Sequence, residues 1–503
     1  MQQKKNRLLL FAMNSSIIRL SRLAVCLLLA RFVAPAQQDT TYLTLQECIR
    51  LAHENGPLGS IAHSTFESKR SAYQSFAATL YPQLSLQGEM PGYSRSIIPI
   101  VLPDGSTVFT PQSQASSSLS LSLSQKIPLT GGQLSLSSEL NRIDLIETKS
   151  QYYRSNPLII SLFQPLFRIN TLRWDQDAQE IRYAMASREL AEAIEGAAID
   201  VTNKFFDLFL ASISSANAAL NLANNDTLYT ISEGRFNLGR ISENDLLQSE
   251  LAYLNAQTQL ENANVGLYRS QQNLRVALGL AFNIYLVLAP PTEIPVSSID
   301  PADALMLARQ NRSEILDFDL QLVTAERSVM QAQSDNSFTA TMTATMGYNQ
   351  RAPILHDAYR GLLNQQEFSL NFSVPIFTWG VGSASVDAAL ADQKRIETSV
   401  EQRRHDFEQE VLFQVARLNL LRKQVAVAAK ADTIAQRRFD VAKARYLIGK
   451  IDIPNLFLAQ SEKDNAWRAN VQTMWDYWST YFRVRRLTLF DFAAGTPLVD
   501  EGR

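Results

Sequence analysis

Two hydrophobic periods run along this chain. Ser and Leu alternate without a break from Ser118 to Ser124. Thr alternates with Ala or Met over Thr339–Met346, and apolar residues alternate with Ser and Asn over Phe368–Val374. Period two predicts strands with one apolar face and one small polar face. Elsewhere apolar residues return every three to four positions, as at Phe205, Leu208, Phe209 and Ile213. That spacing predicts helices packed in coiled-coil fashion on neighbours. Residues 170–236 lack Pro, and residues 383–447 lack both Gly and Pro. Each run predicts one continuous helix, roughly 95–100 Å long at 1.5 Å per residue.

Shorter helices flank the long ones. Thr44-x-x-Glu47 is a capping box opening a helical run to about Leu80, and Asp300-Pro301 opens its counterpart to about Ser334. Ser242-x-x-Asp245 opens a run to about Leu280, and Asp452-x-Pro454 one to about Leu489. Two such helices end to end match one long helix, so the pattern predicts a bundle of one continuous helix against two stacked ones, twice over.

The chain repeats itself. RFNLGRISENDL at 235–246 matches RYLIGKIDIPNL at 445–456, an offset of 210. Gln164-Pro165-Leu166-Phe167 matches Val374-Pro375-Ile376-Phe377 at the same offset, whereas LAHEN at 51–55 matches LARQN at 307–311 at an offset of 256. The first copy therefore holds 46 extra residues between Asn55 and Pro165. The stretch from Pro128 to Pro165 is long enough for an additional β-hairpin. The resulting division is 1–36, an export signal; 37–283, a first repeat with strands over about 82–165; 284–299, a linker; 300–490, a second repeat; and 491–503, a tail.

In a soluble sheet the outer face carries Lys and Glu, but these strand interiors hold almost no charge. Apolar-out, polar-in alternation over about 10 residues suits a transmembrane β-barrel. An ordinary half-buried sheet is the alternative left open by strand pattern alone. Tyr81, Phe163, Phe167, Trp174, Phe377 and Trp379 gather at segment ends, as interface girdles would. Four to six strands cannot close a barrel, which takes about eight at least, so the chain is expected to oligomerise and remove its edges.

Composition narrows the compartment. The chain has 503 residues, 46% hydrophobic and 19% charged, and its longest apolar run is the eight residues Leu23–Ala30. A polytopic helical membrane protein is excluded, because a spanning helix needs about 18 apolar residues in a row. Lys4, Lys5, Arg7, Arg19 and Arg22 precede that run and Ala34-Pro35-Ala36 follows it, the order of a secretory signal peptide cut after Ala36. Val25 is too bulky for lipid attachment at Cys26. Without residues 1–36 the chain keeps 41 basic and 49 acidic side chains, net −8, which argues against a nucleic-acid partner. Cys48 is then the one remaining cysteine, so neither an internal disulfide nor a cysteine metal cage is expected.

Catalytic signatures are missing: there is no G-x-S-x-G, H-E-x-x-H or Walker A sequence. Gly380-Val381-Gly382 starts like a dinucleotide loop but has Ser385 in place of the third Gly. His53, His63, His356 and His405 show no ligand spacing. No enzyme activity, cofactor or metal is expected.

The duplicated R-[FY]-x-[LI]-G-[RK]-I motif, the Gln-Pro-Leu-Phe and Val-Pro-Ile-Phe junctions, and helices ending in Asn55-Gly56-Pro57 and Asn311-Arg312 together resemble the TolC-like outer-membrane efflux protein family. The resemblance covers nearly the whole chain after residue 36. It implies a mainly α fold with a β-barrel portion, a duplicated unit of long helices and transmembrane strands assembled as a trimeric tunnel. It implies a passive duct through the outer membrane into the periplasm, working with a periplasmic adaptor and an inner-membrane transporter in efflux or type I secretion. Familiar members have four strands per chain, and the extra segment here leaves two alternatives: a barrel of eighteen strands, or a hairpin outside the barrel. An exported helical scaffold or adhesin without channel activity is the rival reading.

In the family the duplicated motif lies at the periplasmic tip, where the tunnel is pinched shut. By that resemblance Asp245 takes the place of an acidic residue that ties the tip closed, and Tyr446 that of its partner. The family's arginine falls on Ile451, with Lys450 adjacent, and its inward-facing aspartate falls on Asn455. Local chemistry offers a second role for each position. Asp245 is the third residue of a capping box. Gly239 and Gly449 are helix C′ residues with positive φ. Arg235 and Arg445 sit where cations favour a helix C-terminus.

Overall fold

The computed structural model describes residues 40–499, apart from 292–293, 295–297, 449 and 452. The expected export signal, Gly449 and the cap at Asp452 lie outside the described residues. In chain order the elements are β1 (Thr40–Thr44), α1 (Leu45–Glu54), α2 (Pro57–Ala78), β2 (Gln83–Val101), β3 (Thr107–Ile127), β4 (Gly132–Leu145), β5 (Ser150–Leu166), α3 (Thr171–Asn237), α4 (Glu243–Leu278), β6 (Tyr285–Ala289), α5 (Pro301–Asn311), α6 (Ser313–Asp335), β7 (Thr339–Ala352), β8 (Leu363–Ser373), α7 (Val381–Leu447), α8 (Ile453–Thr488), β9 (Phe490–Asp491) and β10 (Thr496–Pro497). α3 and α7 each run 67 residues, about 100 Å.

The chain divides into two compact units, with α2, α3, α7 and α8 contributing to both. One unit takes the chain up to Ser60, Gly196–Pro295 and Leu421–Ser479. Its core is aromatic. Phe205 and Phe206 of α3 are buried with Tyr477 and Trp478 of α8. Trp475 lies parallel to Phe206 at 6.4 Å and donates its indole N–H to Asn203 Oδ1 at 2.8 Å, which satisfies the one polar atom of a largely apolar ring. Two elements here differ from the expectation. β1 and β6 pair in parallel, so the segment expected as a plain linker carries a strand. Gln271 of α4 extends that pairing: its side chain donates to Leu286 O at 2.8 Å and accepts from Leu286 N at 3.2 Å.

The second unit holds Ile61–Glu195, Val296–Leu420 and Thr480–Arg503. Its helical core includes Phe318 of α6, Phe407, Val411 and Val415 of α7, and Val484 of α8. All six long strands belong to it. They form one sheet in the order β2-β3-β4-β5-β7-β8, and every neighbour is antiparallel. β4 and β5 fill the extra segment of the first repeat and lie in mid-sheet, so that segment is part of the sheet and not a hairpin outside it. Bulges interrupt β2 between Glu89 and Gly92 and β5 between Ser155 and Ile159, the second shifting the register against both β4 and β7. Gly347 faces the last of these, and a Cβ there would sit 2.1 Å from Leu158 O, so only Gly admits this approach. After β5 and β8 the chain turns into the long helices through left-handed aromatics, Phe167 (φ 58) and Trp379 (φ 52).

Two helical runs expected to be continuous are broken. The run from Thr44 splits at Asn55-Gly56 into α1 and α2: Pro57 has no N–H and starts a helix readily, and Gly56 packs where a Cβ would meet Ala52 O and Ala277 O. The run from Pro301 splits at Arg312, whose backbone is extended (φ −70, ψ 136). Glu192 of α3 replaces the lost helical acceptor by taking the Ser313 N–H at 3.0 Å. The same carboxylate meets Arg312 Nη1 at 3.0 Å, and that nitrogen also donates to Arg486 O at 2.9 Å.

Candidate functional site

The sheet has two chemically distinct faces. Leu84, Leu123, Leu136, Ile160 and Met346 lie abreast on successive strands, with Phe368, Leu370 and Phe372 of β8 on the same face. One residue along, Gln83, Ser124, Ser135, Ser161, Thr345 and Glu367 form a row on the other face. Hydroxyls satisfy one another there, as Ser161 and Thr345 do at 3.1 Å. On the apolar face Leu84, Leu86, Phe368 and Phe372 are all exposed. From Ile127 and Gly132 to Leu119 and Leu140 this face is apolar apart from Gln125 and Ser138, and the Arg142–Asp144 ion pair stands above it; that height suits the 9–11 residues that cross a bilayer. Its reverse carries the small hydroxyls, with Lys126, Glu139 and Glu367 among them. Tyr81, Phe167, Phe377 and Trp379 all stand at the helix-side end of the sheet, and the last two rings meet edge to face at 4.6 Å. Trp174 lies instead in the first turn of α3.

The repeat motif forms the turns that end α3 and α7. Gly239 has φ +65, and the Arg240 N–H returns to Arg235 O at 2.9 Å. In the second copy the Lys450 N–H returns to Arg445 O, also at 2.9 Å. Both are six-to-one closures that satisfy a helix's last carbonyls. Gly239 takes a left-handed conformation that a side chain would strain. α4 then opens on a complete capping box: Ser242 Oγ accepts the Asp245 N–H at 3.2 Å, and Asp245 Oδ2 accepts the Ser242 N–H at 3.2 Å and its hydroxyl at 2.7 Å. Asp245 is thus occupied as a cap. Lys450 and Asn455 are exposed, and Tyr446 lies in the last turn of α7 with its side chain outside the described residues. Among the described residues no ion pair joins Asp245 to Lys450.

A third cluster escaped sequence reasoning. Glu195 of α3 is 4% exposed, and its Oε1 takes Arg485 Nη2 of α8 at 2.9 Å. The same guanidinium meets Asp491 Oδ2 at 3.2 Å, and Asp491 Oδ1 accepts the Tyr481 hydroxyl at 3.1 Å. Glu195 Oε2 is buried without a donor among the described residues. Burial therefore outweighs the pull of Arg485 and, aided by the negative Asp491, pushes the Glu195 carboxyl up to about 7. Burial would raise Asp491 too, but the Ala494 N–H, Arg485, the Ala493 N–H and the Tyr481 hydroxyl hold it below the usual carboxylate range. Burial raises the Tyr481 phenol.

The sign follows from linkage. A carboxyl raised in the folded state contributes stability that is complete below its unfolded value of 4.5 and is lost as pH climbs through about 7. We expect urea stability to fall between pH 5 and 8, by at most about 3 kcal/mol for a shift of this size. Glu195→Gln should flatten that slope, and an unchanged slope would assign it to another group.

Among the described residues no group of three or more His, Cys, Asp or Glu is placed to hold a metal. Cys48 is buried, which pushes its thiol up to about 12 and leaves it unreactive.

Comparison with known proteins decides the family. The sequence profile described as Outer membrane efflux protein matches residues 51–280 and 304–477. The chain belongs to the outer membrane efflux protein family. Solved structures share the fold of this family member. The CmeC outer membrane channel of Campylobacter jejuni is 16% identical, with a TM-score of 0.64 over 91% of this chain and 87% of that one. The outer membrane protein VceC of Vibrio cholerae is 15% identical, with a TM-score of 0.61 over 89% and 96%. The MtrE outer membrane channel of Neisseria gonorrhoeae, solved in its open state, is 16% identical, with a TM-score of 0.58 over 88% of each chain. No curated protein sequence matches the chain. As an outer membrane efflux protein it is a mainly helical channel with barrel strands, located in the outer membrane and extending into the periplasm. The family and these neighbours are channels, not enzymes.

Proposed function

We propose that three copies of the chain, exported by a leader at 1–36, close head to tail into one passive duct. The duct serves a tripartite efflux or type I secretion system, receiving cargo from an inner-membrane transporter through a periplasmic adaptor. The observation that carries this reading is the two-faced sheet with both edges open. Among the described residues β2 and β8 each lack a neighbour on one side. An even number of antiparallel strands lets β2 of one copy pair antiparallel with β8 of the next, so three sheets close as eighteen strands without an edge. The helices support it. Val427, Ile434 and Val441 of α7 are exposed at seven-residue spacing, the seam of a helix that packs on another chain.

Asp245, Tyr446, Lys450 and Asn455 form the pinch at the inner end in this reading, and adaptor engagement releases it. The test is conductance of the purified chain in planar bilayers. Trimers should give small closed-state currents, and Asp245→Ala should raise them severalfold. Ser242→Ala removes the cap at a cost of about 1 kcal/mol but keeps the carboxylate, so its conductance should match the parent. Equal currents from Asp245→Ala and the parent would remove Asp245 from the gate. A protein that stayed monomeric and soluble without detergent would overturn the duct in favour of an exported scaffold.

A further inference from the structure

We propose that the β2–β3 hairpin is a clasp: on the cell-surface side its apolar end packs onto the loop joining β7 to β8 of the neighbouring copy. The inference rests on the closed ring proposed above and adds to it a contact between specified residues.

The first ground is the strand register. Pairing of β3 with β4 stops at Gln114 and Leu145, and pairing of β5 with β7 stops at Tyr153 and Ala352. Pairing of β2 with β3 continues to Val101 and Thr107. Thr107–Ser113 therefore climbs past β4, about 23 Å along the strand at 3.3 Å per residue. The rest of the sheet already has the height of a bilayer, so this ribbon stands outside it.

Its surface does not suit water. Ile97, Val101 and Phe109 share one face by register, and Ile98, Ile100 and Val108 share the other. Phe109 is 70% exposed. Asp104 is the one charge between Ser96 and Pro111. A two-stranded ribbon that is apolar on both faces needs a partner. Pro99 and Pro111 offer no N–H, so the ribbon is blunted against strand addition and its partner must meet side chains.

The complementary patch lies at the far edge of the same sheet. Ile354, Leu355 and Tyr359 are exposed on the loop between β7 and β8, Ile354 at 60%. That loop is fixed from beneath. Ser155 Oγ donates to Ala358 O in a buried hydrogen bond, and Gln350 Nε2 donates to Arg360 O at 2.9 Å and Gly361 O at 2.7 Å. It is a rigid platform with apolar side chains facing out. β2 and β7 run in the same direction, so hairpin and platform share one end of the sheet. Within one chain they are separated by the sheet's width, about five spacings of 4.8 Å. In a head-to-tail ring β2 stands beside β8 of the next copy, and the two patches become neighbours.

The test is cross-linking of the full chain in outer membranes, with Cys26 and Cys48 replaced by Ala. Phe109→Cys with Ile354→Cys in one chain should give dimers and trimers on oxidation. Leu84→Cys with Phe372→Cys, at the helix-side end of the same edges, reports ring closure. Products from both pairs support the clasp. Products from the lower pair alone overturn it and assign the hairpin to lipid or a foreign protein, while the ring stands. Products from neither pair overturn ring and clasp together. Products from the upper pair alone also count against it, since they would come from colliding molecules. Replacing 97–110 with a short turn should leave the lower cross-link intact and lose the trimer band at a temperature where the parent keeps it. An unchanged dissociation temperature would overturn the clasp.

Discussion

Leu121→Arg should block assembly in the outer membrane, while Ser122→Arg, one residue away, should assemble and change ion selectivity. Leu121 lies on the apolar face opposite Leu86, near mid-height of the sheet. An arginine at the bilayer midplane of a barrel costs about 2–4 kcal/mol. In the proposed trimer three copies multiply that cost in one cooperative structure. Ser122 lies between Ser85 and Ser137 on the hydroxyl face, where a guanidinium stays hydrated. A ring of three arginines there should turn the channel toward anions. The measurement is the trimer yield in washed outer membranes, followed by reversal potential in a salt gradient. If Leu121→Arg inserted normally and Ser122→Arg failed, the faces would be assigned the wrong way round.

The second large effect is expected at Arg485. Its guanidinium joins Glu195 to Asp491, and its side chain is 17% exposed. Removing one partner of a buried pair costs about 3–5 kcal/mol. Arg485→Met should fall at the low end, about 3 kcal/mol, because Glu195 escapes by taking a proton. Urea denaturation of the detergent-solubilised protein at pH 8 checks this. Adding Glu195→Gln to Arg485→Met should restore part of the loss. Full additivity of the two would show that the ion pair contributes nothing of its own.

How much of this was legible in the sequence differs by element. α3 and α7 were legible almost to the residue, because an apolar period without Pro over some 65 positions has no other stable form. The Ser and Leu alternation of β3 gave away a two-faced strand. It did not give away the partners, since period two specifies faces and leaves strand order open. The break at Arg312 was not legible: it depends on a carboxylate from Glu192, 121 residues away. Glu195 and Arg485 are 290 residues apart, and nothing local marks either as buried. β1 and β6 pair across a similar gulf, and each is short enough to pass for loop. At the turns, the cap made by Ser242 and Asp245 was visible as a motif. A bond from Asp245 to Tyr446 was an expectation of family resemblance, and it stays a proposal here.

Two additional strands per chain alter the economy of the outer membrane itself. Eighteen strands at 4.8 Å spacing and about 40° tilt enclose a circle about 36 Å across, against about 24 Å for twelve. In the trimer proposed above the surface mouth is too broad to sieve antibiotics, and the permeability barrier falls to the proposed constriction at the helical tip. Any lesion that slackens that tip should make the bacterium leaky to large, normally excluded drugs, even while export continues unimpaired.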